Sequence, residues 1–410
     1  MLLLLKVGLL IDGTGGPARK EQSVLIDGDR IARIGPWESM EAPDAQVLDL
    51  SGSTLLPGLI DLHTHMGLFP PKRGEGADPS LRKDDLIAVK VFQSAFAGQA
   101  WLQSGVTTVR HAGGGGNFAV AIKEAIAEGY TAGPRVIASG SIITQTGGVR
   151  AGNEHFGIEI TGVDEARRAA RQQLKAGVDV LKIYGASSIG GGGGRLVSHS
   201  GWEQMTLEEM RAIVEEAHRP GRLASVHTGD AVSIKKAIQS GADWLDHATF
   251  LDDEAIDMLL KTNTPIVPTR AAGWSFAEYV TFGPYIAKMG KQVDAQTSGA
   301  LAKAYRAGVR IATGTDTVHP DAGVAKECEL LCQVGMSAQD AIVAATSEPA
   351  RILGLADQIG TVEENKIADL VVLDANPLDD IRNLARNHVE MVIQGGRTLA
   401  LPLVDLSAWS

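Results

Sequence analysis

The chain has 410 residues, 44% hydrophobic and 21% charged, a balance too apolar for disorder and ordinary for a folded soluble protein. Its formal net charge of −11 argues against nucleic acid or an anionic membrane as partner, because neither attracts an acidic surface. The 48 glycines follow no Gly-X-Y period, so they point to tight turns and close backbone approaches.

At the N-terminus MLLLLKVG is too short for a signal-peptide core and has no basic region before it. No run of about 18 apolar residues occurs anywhere, and a soluble cytoplasmic protein is expected. Residues 1–54 contain short alternating strands, SVLIDGDRIARIG and AQVLDLSG, with a hairpin signal at Asp27-Gly28. KIADLVVLDA and VEMVIQGGRTL, within 366–399, repeat the pattern around a Gly-Gly turn. Neither end is large enough to bury a core alone, so 1–54 and 366–410 are expected to form one composite β-sandwich domain.

Between them, residues 55–365 alternate short apolar runs with helical stretches. Eight strands are expected at 55–65, 106–112, 134–140, 180–186, 223–229, 244–250, 265–269 and 310–316. Helices are expected at 164–177, 206–219 and 231–241, with a capping box at Thr206/Glu209 and stops at Gly177 and Gly241. This pattern predicts an α/β fold, a (β/α)8 TIM barrel. Long loops at 67–84, 141–163, 187–205 and 270–297 would then cluster at the C-terminal face of the barrel. The run IGGGGGRLVSHSG (189–201) reads either as a mobile lid or ligand-approaching backbone, or as a plain surface loop. Cys328 and Cys332, four apart in one helical stretch, are read as free thiols, poorly placed for a disulfide and too few for a zinc site.

The chemistry stands at the strand ends: His63 and His65 after the first, Lys182 on the fourth, His227 on the fifth, His247 on the sixth and Asp316 on the eighth. Alternation along a strand puts His63 and His65 on one face. Imidazole and carboxylate ligands without cysteine suit zinc or a similar catalytic divalent ion. Lys182 becomes a ligand only if its amine takes up CO2 as a carbamate, whose two oxygens bridge two metals about 3.5–4 Å apart. The other reading is a lysine ion-paired with a neighbouring strand.

With LLPGLIDLHTHMG, DVLKIYGAS, LASVHTGD, WLDHATF and ATGTDT in order, and KIADLVVLDANPL returning at the end, the sequence resembles the amidohydrolase superfamily over essentially its whole length. The 20-residue gap between His227 and His247, with KAGVDVLKIYGAS and SGADWLDHATF, is most similar to the prolidase-like branch, which includes dipeptidases and ochratoxin-cleaving enzymes. The resemblance implies a binuclear centre of two divalent ions, zinc foremost, bridged by carboxylated Lys182, and hydrolysis of a dipeptide or N-acyl amino acid by metal-activated hydroxide. It implies that Asp316 shuttles the proton and His247 orients the water. Tyr184, on the face of Lys182, is either a donor to the oxyanion or a core residue. Arg150, Arg195, His199 and Arg270, in or beside the long loops, are either anchors for a substrate carboxylate or solvated surface.

Two positions depart from the branch. Val149 and Arg150 follow Thr146-Gly147-Gly148 where relatives carry His-Gly, and His111 stands where they carry Asp, so a shifted substrate pocket is expected. The alternative function is hydrolysis of a carbamate, urea or lactone by the same centre. A non-catalytic assembly module is disfavoured because all six ligands are present. The expected partners are a small-molecule substrate and, from the resemblance, further copies in a homo-oligomer.

Overall fold

In the computed structural model, the described residues are 2–67, 87–148, 157–186, 205–278, 284–316 and 323–399. The two ends of the chain meet in one seven-stranded mixed sheet. Its strands are β1 (Leu2–Leu10), β2 (Arg19–Asp27), β3 (Arg30–Pro36), β4 (Gln46–Pro57), β14 (Leu370–Leu373), β15 (Val389–Gln394) and β16 (Arg397–Thr398), ordered β16-β15-β14-β4-β1-β2-β3. The composite character expected from the sequence is therefore present, as a single sheet consistent with a sandwich. Its core joins Leu5, Val7, Val24 and Ile26 from the N-terminal strands to Leu370, Val372 and Ile393 from the C-terminal ones. The β2–β3 turn is Gly28-Asp29, one residue later than the Asp27-Gly28 signal, because Asp27 pairs with Arg30.

The central segment places parallel strands in two sheets. One is β5 (Leu59–Thr64), β6 (Val106–His111) and β7 (Arg135–Ala138). The other runs β13-β12-β11-β10-β8-β9, formed by β8 (Ile142–Gln145), β9 (Gly157–Ile160), β10 (Val180–Tyr184), β11 (Leu223–Thr228), β12 (Trp244–His247) and β13 (Ile266–Val267). The continuous eight-stranded ladder expected from the sequence is not formed among the described residues. The eighth segment, 310–316, makes one bridge, Ile311 to Ile266, where a strand was expected. It nevertheless spans from β13 to β5: Ala312 N donates to Ile266 O (3.0 Å) and Leu62 N to Thr313 O (3.1 Å). Across the other gap, Asp179 N donates to Ala138 O (2.8 Å), linking β7 to the start of β10.

The helices follow from their sequences. In α3 (Val163–Lys175), Ala166, Ala169, Ala170 and Gln173 are buried at helical spacing, with Asp164 and Glu165 in the first turn and Lys175 in the last. The Thr206/Glu209 capping box opens α4 (Leu207–His218), and left-handed Gly241 ends α5 (Ala231–Ser240), both as expected. Asp252 caps α6 (Asp253–Thr262). The remaining helices are α1 (Ile87–Gln103), α2 (Phe118–Ala127), α7 (Arg270–Glu278), α8 (Pro284–Ala307), α9 (Val324–Gln333), α10 (Ala338–Ala345) and α11 (Ser347–Ile352).

Two expected loops are corrected. Within 141–163 stand β8 and β9, and 270–297 is mostly helix, α7 and the first part of α8. Both stretches were expected as long strand-to-helix connections, but tertiary packing gives them regular structure that local preference does not announce. Most of the other two, residues 68–86 and 187–204, lies outside the described residues, as does the polyglycine run. Cys328 and Cys332 are free thiols on α9. No described helix is long and apolar enough to cross a membrane.

Because β14 lies between β4 and β15, removing residues 366–410 should strip β4 of a partner and open the shared core. We expect the truncated protein to be insoluble, or to lose protease resistance within residues 2–57. A truncated form as protease-resistant there as the full chain would contradict the composite sheet.

Candidate metal centre

Four imidazoles and a carboxylate converge where these strands end. Ring centroids lie 5.3 Å apart for His63 and His65, 4.9 Å for His63 and His247, and 4.4 Å for His227 and His247. One ligand atom from each of His63, His247 and Asp316 fits within 4.8 Å of the others. Asp316 Oδ1 is 3.1 Å from His65 Nε2 and 3.6 Å from His63 Nε2.

The backbone that achieves this is irregular. The β5–β6 register shifts between Asp61 and Thr64, next to His63. His247, Ala248, Thr269 and Asp316 all have positive φ, at 69°, 47°, 48° and 49°. Non-glycine residues held in this region cluster at functional sites, where surrounding contacts enforce them. Asp61 supplies one such contact. It is fully buried and accepts from His63 N (3.0 Å), Thr315 N (3.0 Å) and Thr315 Oγ1 (2.7 Å), so it locks the eighth segment to β5. Burial, partly offset by those donors, pushes its carboxyl up to about 6. Gly314 allows the close approach, since a Cβ there would stand 2.3 Å from Val267 Cγ1 and 2.8 Å from His63 Cβ.

Beneath the histidines lies a group that sequence reasoning missed, Asp246. Its Oδ1 receives Trp244 Nε1 (3.1 Å) and stands 3.0 Å from His63 Nδ1. Its Oδ2 receives Lys182 Nζ, Ser225 Oγ (3.1 Å) and Arg110 Nη1 (3.4 Å). Burial opposes its charge, but Lys182, His63 and Arg110 outweigh it and hold the carboxyl well below the usual range. Strand alternation hid this residue. If His247 faces the site, Asp246 should face away, but left-handed His247 breaks the alternation and both side chains reach inward. Lys182 is ion-paired here with Asp246 on β12, two strands away rather than on the neighbouring strand that the sequence suggested. Burial, opposed by Asp246, brings its ammonium down to about 8.

The imidazole tautomers follow from their partners. His65 Nδ1 is 2.9 Å from Gly113 O, and a carbonyl only accepts, so Nδ1 carries the proton and Nε2 turns to Asp316. Gly113, at φ 96°, must be glycine, because a Cβ would lie 2.7 Å from Ile142 Cγ1. His111 accepts from Met66 N (3.2 Å) and donates Nε2–H to Gly114 O (3.1 Å), so it fastens the His65 turn to the glycine run. Burial holds His63, His111 and His247 neutral, with pKa values down to about 3, about 3 and about 4, and His227 well below its ordinary value.

Neutral His63 faces the ionised Asp246 with Nδ1, so the proton sits there and the Nε2 lone pair points at Asp316. Burial opposes ionisation of Asp316, but the rings of His63, His65 and His247 outweigh it and hold the carboxyl below its ordinary range. A carboxylate facing imidazole Nε2 atoms at these distances calls for positive charge, either a proton on an imidazole or a cation between them. The donor set therefore fits a divalent metal ion.

The other expected residues separate. The Tyr184 ring lies flat on His227, 4.4 Å between centroids and 3° between planes. Arg270 is corrected: it opens α7, is 5% exposed, and its guanidinium donates to Leu330 O (2.9 Å) and Ser298 Oγ (2.8 Å). The helices formed where a loop was expected turn it into the protein. Arg150, Arg195 and His199 lie outside the described residues.

The sequence profile of the amidohydrolase family matches residues 54–399. The chain belongs to that family. A Xaa-Pro dipeptidase with methionine bound in its active site is 32% identical, with a TM-score of 0.86 over 97% of this chain and 100% of that one. A prolidase complexed with N-methylphosphonate-L-proline is 25% identical, with a TM-score of 0.87 over 98% of this chain and 100% of its own. Ochratoxinase of Aspergillus niger is 29% identical over 437 aligned positions, covering 97% of this chain and 87% of that sequence. This amidohydrolase is thus placed in the prolidase- and ochratoxinase-like branch.

Asp246→Asn removes the buried counter-charge of Lys182 and Arg110 at nearly constant volume. Leaving such charges uncompensated should cost about 3–5 kcal/mol. Urea denaturation of the metal-free protein measures this, and a loss under about 1 kcal/mol would contradict the role given to Asp246.

Proposed function

We propose that this amidohydrolase cleaves the amide C–N bond of a small dipeptide or N-acyl amino acid with a free carboxylate. The ring between β5 and β13, completed by residues 310–316, would act as a (β/α)8 barrel holding two divalent ions, zinc foremost. His63, His65, His227, His247 and Asp316 would be ligands, with Lys182 bridging as a carbamate. The observation that carries this reading is the pair of imidazole Nε2 atoms facing ionised Asp316. The lowered Lys182 pKa supports carbamate formation, since only the neutral amine reacts with CO2.

Bound ions would supply Lewis-acid polarisation of the scissile carbonyl and make water acidic enough to attack near neutral pH. Asp316 accepts the proton of the attacking water on a carboxylate oxygen and returns it to the leaving nitrogen. His247 orients that water, and we assign the Tyr184 hydroxyl to the developing oxyanion. The amino-acid character of methionine and N-methylphosphonate-L-proline in the two related structures supports a carboxylate-bearing substrate. Arg150, Arg195 and His199 are the cationic residues proposed to receive that carboxylate. Arg270 is left out because its guanidinium binds Leu330 and Ser298.

Elemental analysis of protein purified without chelator should give two ions per chain. Asp316→Asn should remain folded but lose about 10²–10⁴ in turnover, the range typical of proton transfer by a positioned side chain. Two results would contradict this centre: one ion or none, or an Asp316→Asn variant retaining more than about a tenth of the rate.

The substrate class is tested on Xaa-Pro, Xaa-Arg and Xaa-Lys dipeptides and N-acyl-phenylalanines beside neutral carbamates, phenylureas and lactones. We expect the carboxylate-bearing amides to be fastest, and blocking the carboxylate as an ester to lower kcat/KM at least about tenfold. Faster turnover of the neutral compounds would replace this reading with the carbamate, urea or lactone one.

A further inference from the structure

Thr269 is the least expected residue around the centre. It is β-branched, 4% exposed, and holds φ 48°, a conformation that such side chains rarely adopt. It lies two residues beyond β13 and immediately before α7. The first two N–H groups of α7 are claimed by one carboxylate: Arg270 N donates to Glu327 Oε1 (3.0 Å) and Ala271 N to Glu327 Oε2 (2.7 Å). Glu327 is fully buried on α9, so this clamp comes from a different helix of the fold. At the other end of the turn, Thr269 Oγ1 lies 2.6 Å from His247 Nδ1.

A threonine in the left-handed region costs on the order of 1–3 kcal/mol, and such a conformation persists only where its surroundings over-determine it. Here the two Glu327 hydrogen bonds fix the residues that follow, and the strained backbone aims the hydroxyl at the imidazole. A histidine offers Nε2 to a metal ion only if its other ring nitrogen keeps the proton, and the partner of that nitrogen sets the choice.

We propose that Thr269 is a positioning residue that holds the proton of His247 on Nδ1 and its Nε2 toward Asp316, and that buried Glu327 clamps the turn that aims Thr269. The inference rests on the metal centre proposed above. Thr269 touches neither substrate nor ion in this account; it acts through His247.

The test compares Thr269→Val, which removes the hydroxyl at similar volume, with Thr269→Ser, which keeps it. In metal-free protein at pH 7, long-range 1H–15N spectra should show the Nδ1–H tautomer of His247 in wild type and Thr269→Ser, and its loss in Thr269→Val. Chelator competition should show zinc bound about 10–100-fold more weakly by Thr269→Val and within about threefold of wild type by Thr269→Ser, the size expected when the partner of a ligating histidine is lost. Glu327→Ala, which has no direct contact with His247 to remove, should move zinc affinity in the same direction as Thr269→Val. An Nε2–H tautomer in the wild type, or a Thr269→Val variant that matches it in both readouts, would overturn the assignment. The tautomer is read without metal, so failure of the wild type to bind zinc would count against the proposed centre while leaving the Thr269 assignment decided by the spectra.

Discussion

A single buried carboxylate, Asp246, ties the catalytic end of this fold together. It accepts from or faces donors on β5, β6, β10 and β11, as well as Trp244 of its own strand. Arg110, fully buried on β6, donates a second time to Ser225 Oγ (2.5 Å) and lies 5.2 Å over the Trp244 ring. Such a network is costly to bury, and removing one partner leaves the others uncompensated. It links four strands to β12 and holds His63 and, while its amine is uncarboxylated, Lys182.

Above that layer the geometry depends on backbone conformations that ordinary strands avoid. Left-handed His247 and Asp316 turn their side chains inward, and each is held by neighbours: Thr269 Oγ1 on His247, and His63 O accepting from Asp316 N at 2.6 Å. The glycine run after β6 contributes two carbonyls that orient His65 and His111. These outer contacts determine which nitrogen of each ring is available. The Nε2 atoms of His63 and His65 then meet the Asp316 carboxylate, and the chemistry of the site follows from the positive charge that this grouping calls for.

Much of this was legible from residue types and spacing. Histidines and an aspartate at strand ends pointed to the cluster in which His63, His247 and Asp316 meet, and Thr206/Glu209 and Gly241 marked helix ends where capping chemistry is local. Pairing of the two termini was visible because neither end could bury a core alone. What was not legible depends on long-range geometry. Asp246 was concealed by the alternation rule, which fails at a left-handed residue. Asp61 looked like an ordinary part of the LIDLHTH run, and only its contacts with Thr315 show its role. Arg270 was misplaced because a helix that opens on a buried carboxylate 57 residues away carries no local capping signal. The eighth strand was overestimated for a similar reason: its hydrogen bonds are divided between β13 and β5 and give no regular ladder.

In the proposed centre the Nε2 atoms of His63 and His65 face Asp316 across a cation. The direct measurement is a crystallographic anomalous-difference map, recorded above and below the zinc absorption edge on protein grown with zinc. A strong peak is expected within coordination distance of His63 Nε2, His65 Nε2 and Asp316, and a second beside His227 and His247, with density for a carboxylated Lys182 between them. An ordered site with no anomalous peak, in which His65 pairs with Asp316 as a protonated imidazolium and Lys182 stays on Asp246, would contradict it.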